Sequence, residues 1–350
     1  MDHAGSLQSS TSSRRFVSLD VLRGVAIAGI FPLNSVAIWI TAGAIPVEVF
    51  QTAGWTGLRL FFQGHFLPLF SLLFGLSFGM VWRAGRDTRV RPRAALARRA
   101  GFLVILGLPH QLFAPGEALL IYGLSGLIFL LPSTLLPRRR AAPVLGLVGL
   151  IGIVAGLAIE AQLFTLIGLQ LAGFALGILG AAGRWESPSA GRAIMITGVS
   201  TGALALAGAT LLVLRPELQA SYVLLTLVQL VMAAGYVALV LGLMRTRLAP
   251  ALVAAFEPLG RTALTCYLSA TVLITFGAAA VRALAPDPQG LGTWLGLTAW
   301  VIGVLAIQNL GMRLWLRRFR RGPLEELWRR FTWWTRDGRP TPRPVPASVS

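Results

Sequence analysis

Apolar residues run through this chain in stretches of about twenty, the length a membrane-crossing helix needs, separated by short polar segments. Ten stretches qualify: 19–41, 58–82, 97–114, 117–136, 143–159, 163–182, 193–214, 220–244, 260–284 and 291–312. The pattern predicts an all-α fold, a polytopic membrane helical bundle of about ten transmembrane helices. The junction at Glu160-Ala161-Gln162 leaves open whether residues 143–182 form one span or two.

The chain changes character after Met312. Gly322-Pro323 ends one helical pattern and starts another, in which Leu324, Leu327, Trp328 and Phe331 share one face beside Arg329 and Arg330. This predicts a C-terminal amphipathic helix lying in the cytoplasmic interface. The expected division is therefore a disordered N-terminus (1–16), the bundle (17–312), the interfacial segment (313–335) and a disordered Pro-rich tail (336–350).

Charge fixes an expected orientation. Arg14 and Arg15 precede the first stretch, and Arg83 to Arg99 separate the second from the third. Arg138 to Arg140, Arg184 with Arg192, and Arg245 with Arg247 fall on the same side in a ten-span arrangement, while 42–57 carries no arginine. The positive-inside rule then puts both termini in the cytoplasm of a bacterial cell, with the bundle in the inner membrane. The arginines behind the net charge of +18 cluster between and after the apolar spans, so the expected partners are the bilayer and anionic headgroups of the cytoplasmic face, and nucleic acid is not among them. Oligomeric state is left open.

Composition agrees. The chain has 350 residues, of which 55% are apolar and 13% charged, about half the charged share of a soluble protein. All 31 basic residues are arginine, which points to a GC-rich genome. Cys266 is the single cysteine and excludes an intrachain disulfide. With three histidines, one at position 3, no metal site is expected, and no phosphate-cradling Gly-Lys loop, HExxH, CxxC or nucleophile elbow occurs.

Ionisable groups inside a span are costly and mark candidate sites. Asp20 and Arg23 are three apart and can pair. Asn34 follows Arg23 by three turns on the same face, roughly 16 Å along the axis. Counting depth from span centres predicts an outer layer of Asn34, His65, His110, Gln111 and Glu117. An inner layer holds Asp20, Arg23, Arg261, Gln308, Asn309 and Arg313. Pro32, Pro68 and Pro109 each fall near a polar residue and are expected to interrupt their spans. Small residues at four-residue spacing, as in Ser71, Gly75 and Gly79, predict close helix approach.

Several of these residues form longer motifs. Leu19-Asp20-Val21-Leu22-Arg23-Gly24 with Asn34, and Leu69-Phe70-Ser71-Leu72-Leu73-Phe74-Gly75, resemble the first two spans of the YeiB family of bacterial membrane proteins. Leu259-Gly260-Arg261-Thr262-Ala263-Leu264-Thr265-Cys266-Tyr267 with Trp315, Phe319, Gly322-Pro323-Leu324-Glu325 and Trp328-Arg329 is similar to the domain of unknown function 418. That domain forms the C-terminal half of the family, here about 218–335, and Cys266 stands where asparagine is expected. The family carries no settled activity and is often described as involved in transport. It also distantly resembles membrane acyltransferases, including the lysosomal enzyme that acetylates heparan glucosamine. Those enzymes use a histidine at positions that hold Asn34 and a residue near Thr52 here.

Three readings follow. In an acyltransferase-like enzyme, His65, His110 and Asn34 form the catalytic set, and Asp20, Arg23, Arg261, Gln308 and Asn309 bind substrate. Guanidinium suits a phosphate-bearing cytoplasmic donor, an acyl-CoA being the candidate cofactor, and a histidine would serve as general base toward an outward-facing acceptor. In a small-molecule or lipid transporter, the broken helices and intramembrane charges serve alternating access. The third reading is a non-catalytic membrane subunit.

Overall fold

The computed structural model describes residues 15–85, 91–284 and 291–334, and these are helical with no strand among them. The expected N-terminal disorder before residue 15 and the tail after 334 lie outside the described residues. Among the described residues seven helices are long and apolar enough to cross a membrane, or eight if one sharply bent pair counts as a single span. Spanning segments are helical because hydrocarbon leaves each backbone polar group to be satisfied within its own segment. This is a multi-pass membrane protein.

Helix α1 (Val17–Thr41) runs unbroken through Pro32. The second stretch, expected as one helix over 58–82, is two: α2 (Ala53–Phe62) and α3 (Phe66–Ala84). Thr52 caps α2 by accepting from the Trp55 N–H at 3.3 Å. The chain breaks at Gly64, whose φ of 78° is a left-handed conformation that glycine adopts without strain. Pro68 therefore sits in the first turn of α3, where its missing N–H costs nothing. Pro109 falls in the last turn of α4 (Pro92–His110). Of the three prolines, none divides a helix at its own position.

After α4 the chain turns into a shorter apolar helix, α5 (Ala118–Ser133), which includes a π-helical stretch at Gly126–Leu130. Residues 143–182 resolve into two helices, α6 (Arg138–Ala158) and α7 (Gln162–Leu179), turned by Glu160 at φ 55°. Next come α8 (Gly191–Leu214) and α9 (Tyr222–Leu243). The stretch expected at 260–284 is preceded by a further helix. Here α10 (Ala249–Arg261) meets α11 (Ala263–Leu284) at an 84° bend. The last long helix, α12 (Leu291–Arg318), runs past the boundary expected after Met312.

Glycine sets the packing. In parallel helices α3 and α7, a Cβ on Gly75 would meet the Gln170 carbonyl oxygen at 1.8 Å, and Gly79 and Gly177 face each other. In the antiparallel pair α6 and α7, Gly149 and Gly168 do the same. With no hydrophobic drive between helices in lipid, such backbone approach supplies the dispersion contact that holds them. Large apolar side chains remain exposed along α6 and α8, among them Leu147, Ile151, Val199 and Leu206. A patch of that extent marks a lipid-facing surface.

Helix α13 (Pro323–Trp333) forms where the amphipathic helix was expected. Three of its four apolar positions, Leu324, Trp328 and Phe331, pack on the core around Phe102 and Leu264, and Leu327 stays exposed. The apolar face is thus covered by protein.

Candidate active site

At the inner layer, α1 and α10 touch backbone to backbone. A Cβ on Gly24 would lie 1.9 Å from the Phe256 carbonyl oxygen, and one on Gly260 1.7 Å from that of Asp20. This contact brings the charges of both helices together. Asp20 accepts from Arg15 Nε at 2.8 Å and pairs with Arg23 at 3.4 Å. Arg15 also pairs with Glu257, which lies 3.5 Å from Arg261. Arg23 donates to the Ser77 hydroxyl on α3, and Arg261 to the Arg320 carbonyl at 2.8 Å. Three arginines and two carboxylates share one network, which joins Asp20, Arg23 and Arg261 as expected and adds Arg15 and Glu257.

Gln308 and Asn309 take no part in it. Gln308 Nε2 donates to the Cys266 carbonyl and the Ser269 hydroxyl, each at 2.9 Å, tying α12 to α11. Asn309 Nδ2 donates to the Ala255 carbonyl at 2.6 Å, tying α12 to α10. Both amides serve as interhelical ties.

The outer layer divides. His110, Gln111 and Glu117 come together, and they gather two residues of α11. Glu117 caps α5, accepting from the N–H groups of Leu119 at 2.7 Å and Leu120 at 3.1 Å. Its carboxylate also accepts from Tyr267 Oη at 3.1 Å and Gln111 Nε2 at 3.3 Å. His110 Nδ1 lies 3.4 Å from the same carboxylate, an ion-pair distance that falls outside hydrogen-bond geometry. On the other side of the ring, Nε2 is 3.0 Å from the Thr271 hydroxyl. The negative charge of Glu117 favours the tautomer with its proton on Nδ1, leaving Nε2 to accept from Thr271. A buried histidine with a carboxylate behind it and a hydroxyl before it can take a proton from that hydroxyl's position and return it.

His65 and Asn34 stand apart from this group. His65 precedes the first turn of α3, buried with its ring edge-on to Tyr236 at 6.1 Å between centroids. Asn34 is half-buried on α1 and makes no side-chain hydrogen bond among the described residues. Depth along a helix put them in one expected layer with His110, and depth says nothing about which way around the bundle a helix lies.

Thr271 and Tyr267 were missed as site residues. Tyr267 lay within a recognised motif, and Thr271 is one helical turn further along the same face, which is the signal that could have found it. The paired C-terminal motifs also find their reason. Glu325 of α13 accepts from the N–H of Leu264 at 2.6 Å, so the Gly-Pro-Leu-Glu segment caps the helix that the Gly-Arg-Thr segment begins. No group of three or more histidine, cysteine, aspartate or glutamate residues among the described residues could hold a metal ion.

Comparison with known proteins places similarity along the chain as follows. Residues 177–335 match the family described as Protein of unknown function (DUF418). The chain is similar to an uncharacterised 39.9 kDa protein in the amylase 3′ region of Bacillus acidopullulyticus, 29% identical over 338 residues, 91% of this chain and 94% of that protein. It is also similar to the uncharacterised protein YeiB of Escherichia coli strain K12, 39% identical over 127 residues, 33% of this chain and 30% of that one. No solved structure matches significantly.

Proposed function

We propose, from the premise that this chain is a protein of the YeiB and DUF418 type, that it is an acyltransferase-like membrane enzyme with His110 as general base. The observation that carries this is His110 held between Glu117 and Thr271. An acceptor hydroxyl entering from the outer side would replace Thr271 at Nε2. His110 takes its proton as the oxygen attacks the carbonyl carbon of an acyl thioester. The carbon–sulfur bond breaks, and His110 returns the proton to the departing thiolate, so one ester and one thiol form. The donor, an acyl-CoA, enters from the cytoplasmic side, where Arg23 and Arg261 suit its phosphates.

This reading places both termini in the cytoplasm and the protein in the inner membrane, in keeping with the arginine distribution. It takes α4, α5 and the bent pair as further spans beside the seven long apolar helices. Arg317, Arg318, Arg320 and Arg321 before α13 suit anionic headgroups on that face.

The test is transfer of label from acyl-CoA to acceptors in membranes containing the full chain. Wild-type protein is expected to release CoA and label a product, and His110→Ala to do neither. Equal labelling by both would sink the assignment. A second reading, a small-molecule or lipid transporter, draws on the break at Gly64 and the 84° bend between α10 and α11, since discontinuous helices recur at transport sites. Solute flux in proteoliposomes without a chemically altered product would favour it.

A further inference from the structure

The break in the second span opens on a cavity of ≈ 80 Å³, away from His110. Its polar lining is Thr56, Arg59, Gln63, His65, Gln219 and Gln229, and none of its lining residues is acidic. Four aliphatic side chains complete the wall. A volume of this size holds about half a dozen water-sized groups.

Three features of the cavity favour negative charge. Arg59 shares its Nε with Gln63 Oε1 at 3.0 Å and has no carboxylate partner among the described residues. His65 is 2% exposed, and its Nδ1 has no hydrogen-bond partner. The nineteen-residue helix α3 starts at this point with no side-chain cap. Its first N–H groups are those of Phe66 and Leu67, and Pro68 has none. A half-helix N-terminus inside a membrane is a positive dipole end, a recurrent device for holding an anionic solute. Gly64 brings its backbone against the Gln229 amide, where an added Cβ would lie 2.2 Å from Gln229 Cδ.

We infer that this cavity binds a small oxyanion, a carboxylate or a phosphate. Arg59 and the start of α3 supply the positive charge. The amides of Gln63 and Gln229 contact the oxygens. The volume suits a group the size of acetate or phosphate and excludes a nucleotide. The inference stands on the cavity and is independent of acyl transfer at His110.

Detergent-purified full-length protein is titrated with sodium acetate and, separately, sodium phosphate, with ionic strength held constant by chloride. Unfolding temperature and saturation-transfer NMR of the acetate methyl group are followed. At least one anion is expected to raise the unfolding temperature saturably. Arg59→Gln is expected to weaken binding roughly tenfold. If Arg59→Gln does not fold, Gln229→Leu replaces it, with weaker binding again expected. Repeating the titration in nanodiscs of phosphatidylglycerol and of phosphatidylcholine separates the sources. Competition by phosphatidylglycerol assigns the site to a lipid phosphate, and its absence assigns it to a free oxyanion. The inference is overturned if neither anion binds saturably, if the variants bind as well as wild type, or if choline binds as tightly as the anions.

Discussion

Glu325 takes both the backbone N–H and the hydroxyl of Thr265, at 3.0 and 2.6 Å. The contact closes the start of α11 with a residue from the other end of the recognised C-terminal segment. It predicts that Glu325→Ala leaves buried donors unpaired and destabilises the protein by about 1–3 kcal/mol. Glu325→Gln, which keeps an acceptor, costs less. Fluorescence-detected size-exclusion chromatography after heating ranks the two.

Burial raises the Glu325 carboxyl above its ordinary value, against the hydrogen bonds from Thr265 and Leu264 that pull it down. The folded form therefore binds this proton more tightly than the unfolded chain. Its contribution to stability is fullest in acid and is lost as pH rises through the raised pKa. For Glu326 burial also pulls upward, but the guanidiniums of Arg330 and Arg321 outweigh it and hold the carboxyl below the usual range. Its contribution is present above the ordinary pKa and is lost as pH falls through the lowered one. Glu325→Gln and Glu326→Gln should shift the slope of unfolding temperature against pH in opposite directions, and equal slopes would contradict both.

Gly24→Ala and Gly260→Ala each place a methyl group on a facing carbonyl. Overpacking of this kind costs about 1–3 kcal/mol, and more where backbone must move. Because both strain the same contact, the double variant should lose less than the sum of the two. Thermal inactivation of the four proteins gives the comparison.

In the outer group, Glu117 holds Tyr267 and His110 through one carboxylate. A double-mutant cycle of Glu117→Gln and Tyr267→Phe should show a coupling of about 0.5–3 kcal/mol in unfolding free energy. A coupling near zero would mean that the tyrosine contact is incidental.

The Arg99 guanidinium lies over the Trp328 ring, 3.8 Å from its centroid, while Trp328 Nε1 donates to the Arg99 carbonyl at 2.9 Å. Trp328→Phe keeps a ring but loses the donor, and Trp328→Ala loses both. The alanine variant should release α13 to proteolysis sooner, by a margin corresponding to about 0.5–2 kcal/mol. Equal digestion rates for the two would rule out the ring contact as a hold on α13.

Much of the fold was legible because apolar length is read directly from sequence. The pair α6 and α7 was visible up to the doubt at Glu160, and α12 up to its extension beyond Met312. The break at Gly64 was hidden because Gln63-Gly64-His65 is too short to interrupt an apolar average. The grouping of His110, Gln111 and Glu117 was legible because a tight turn joins α4 to α5 and keeps them close. Thr271 comes from 161 residues away in sequence, and nothing local announces such a partner. His65 stands apart for the converse reason: depth along the sequence does not give direction around the bundle, which depends on how helices α3 and α9 pack.

The meeting of Arg15 with Glu257 spans 242 residues. Translation at 5–20 residues per second separates their synthesis by roughly 10 to 50 s. For that interval the nascent first helix stands at the bilayer with Arg15 lacking Glu257 and with an unfilled groove at Gly24. A helix made well before α10 is thus completed only with it, and an insertase or a lipid headgroup has that time in which to shelter it.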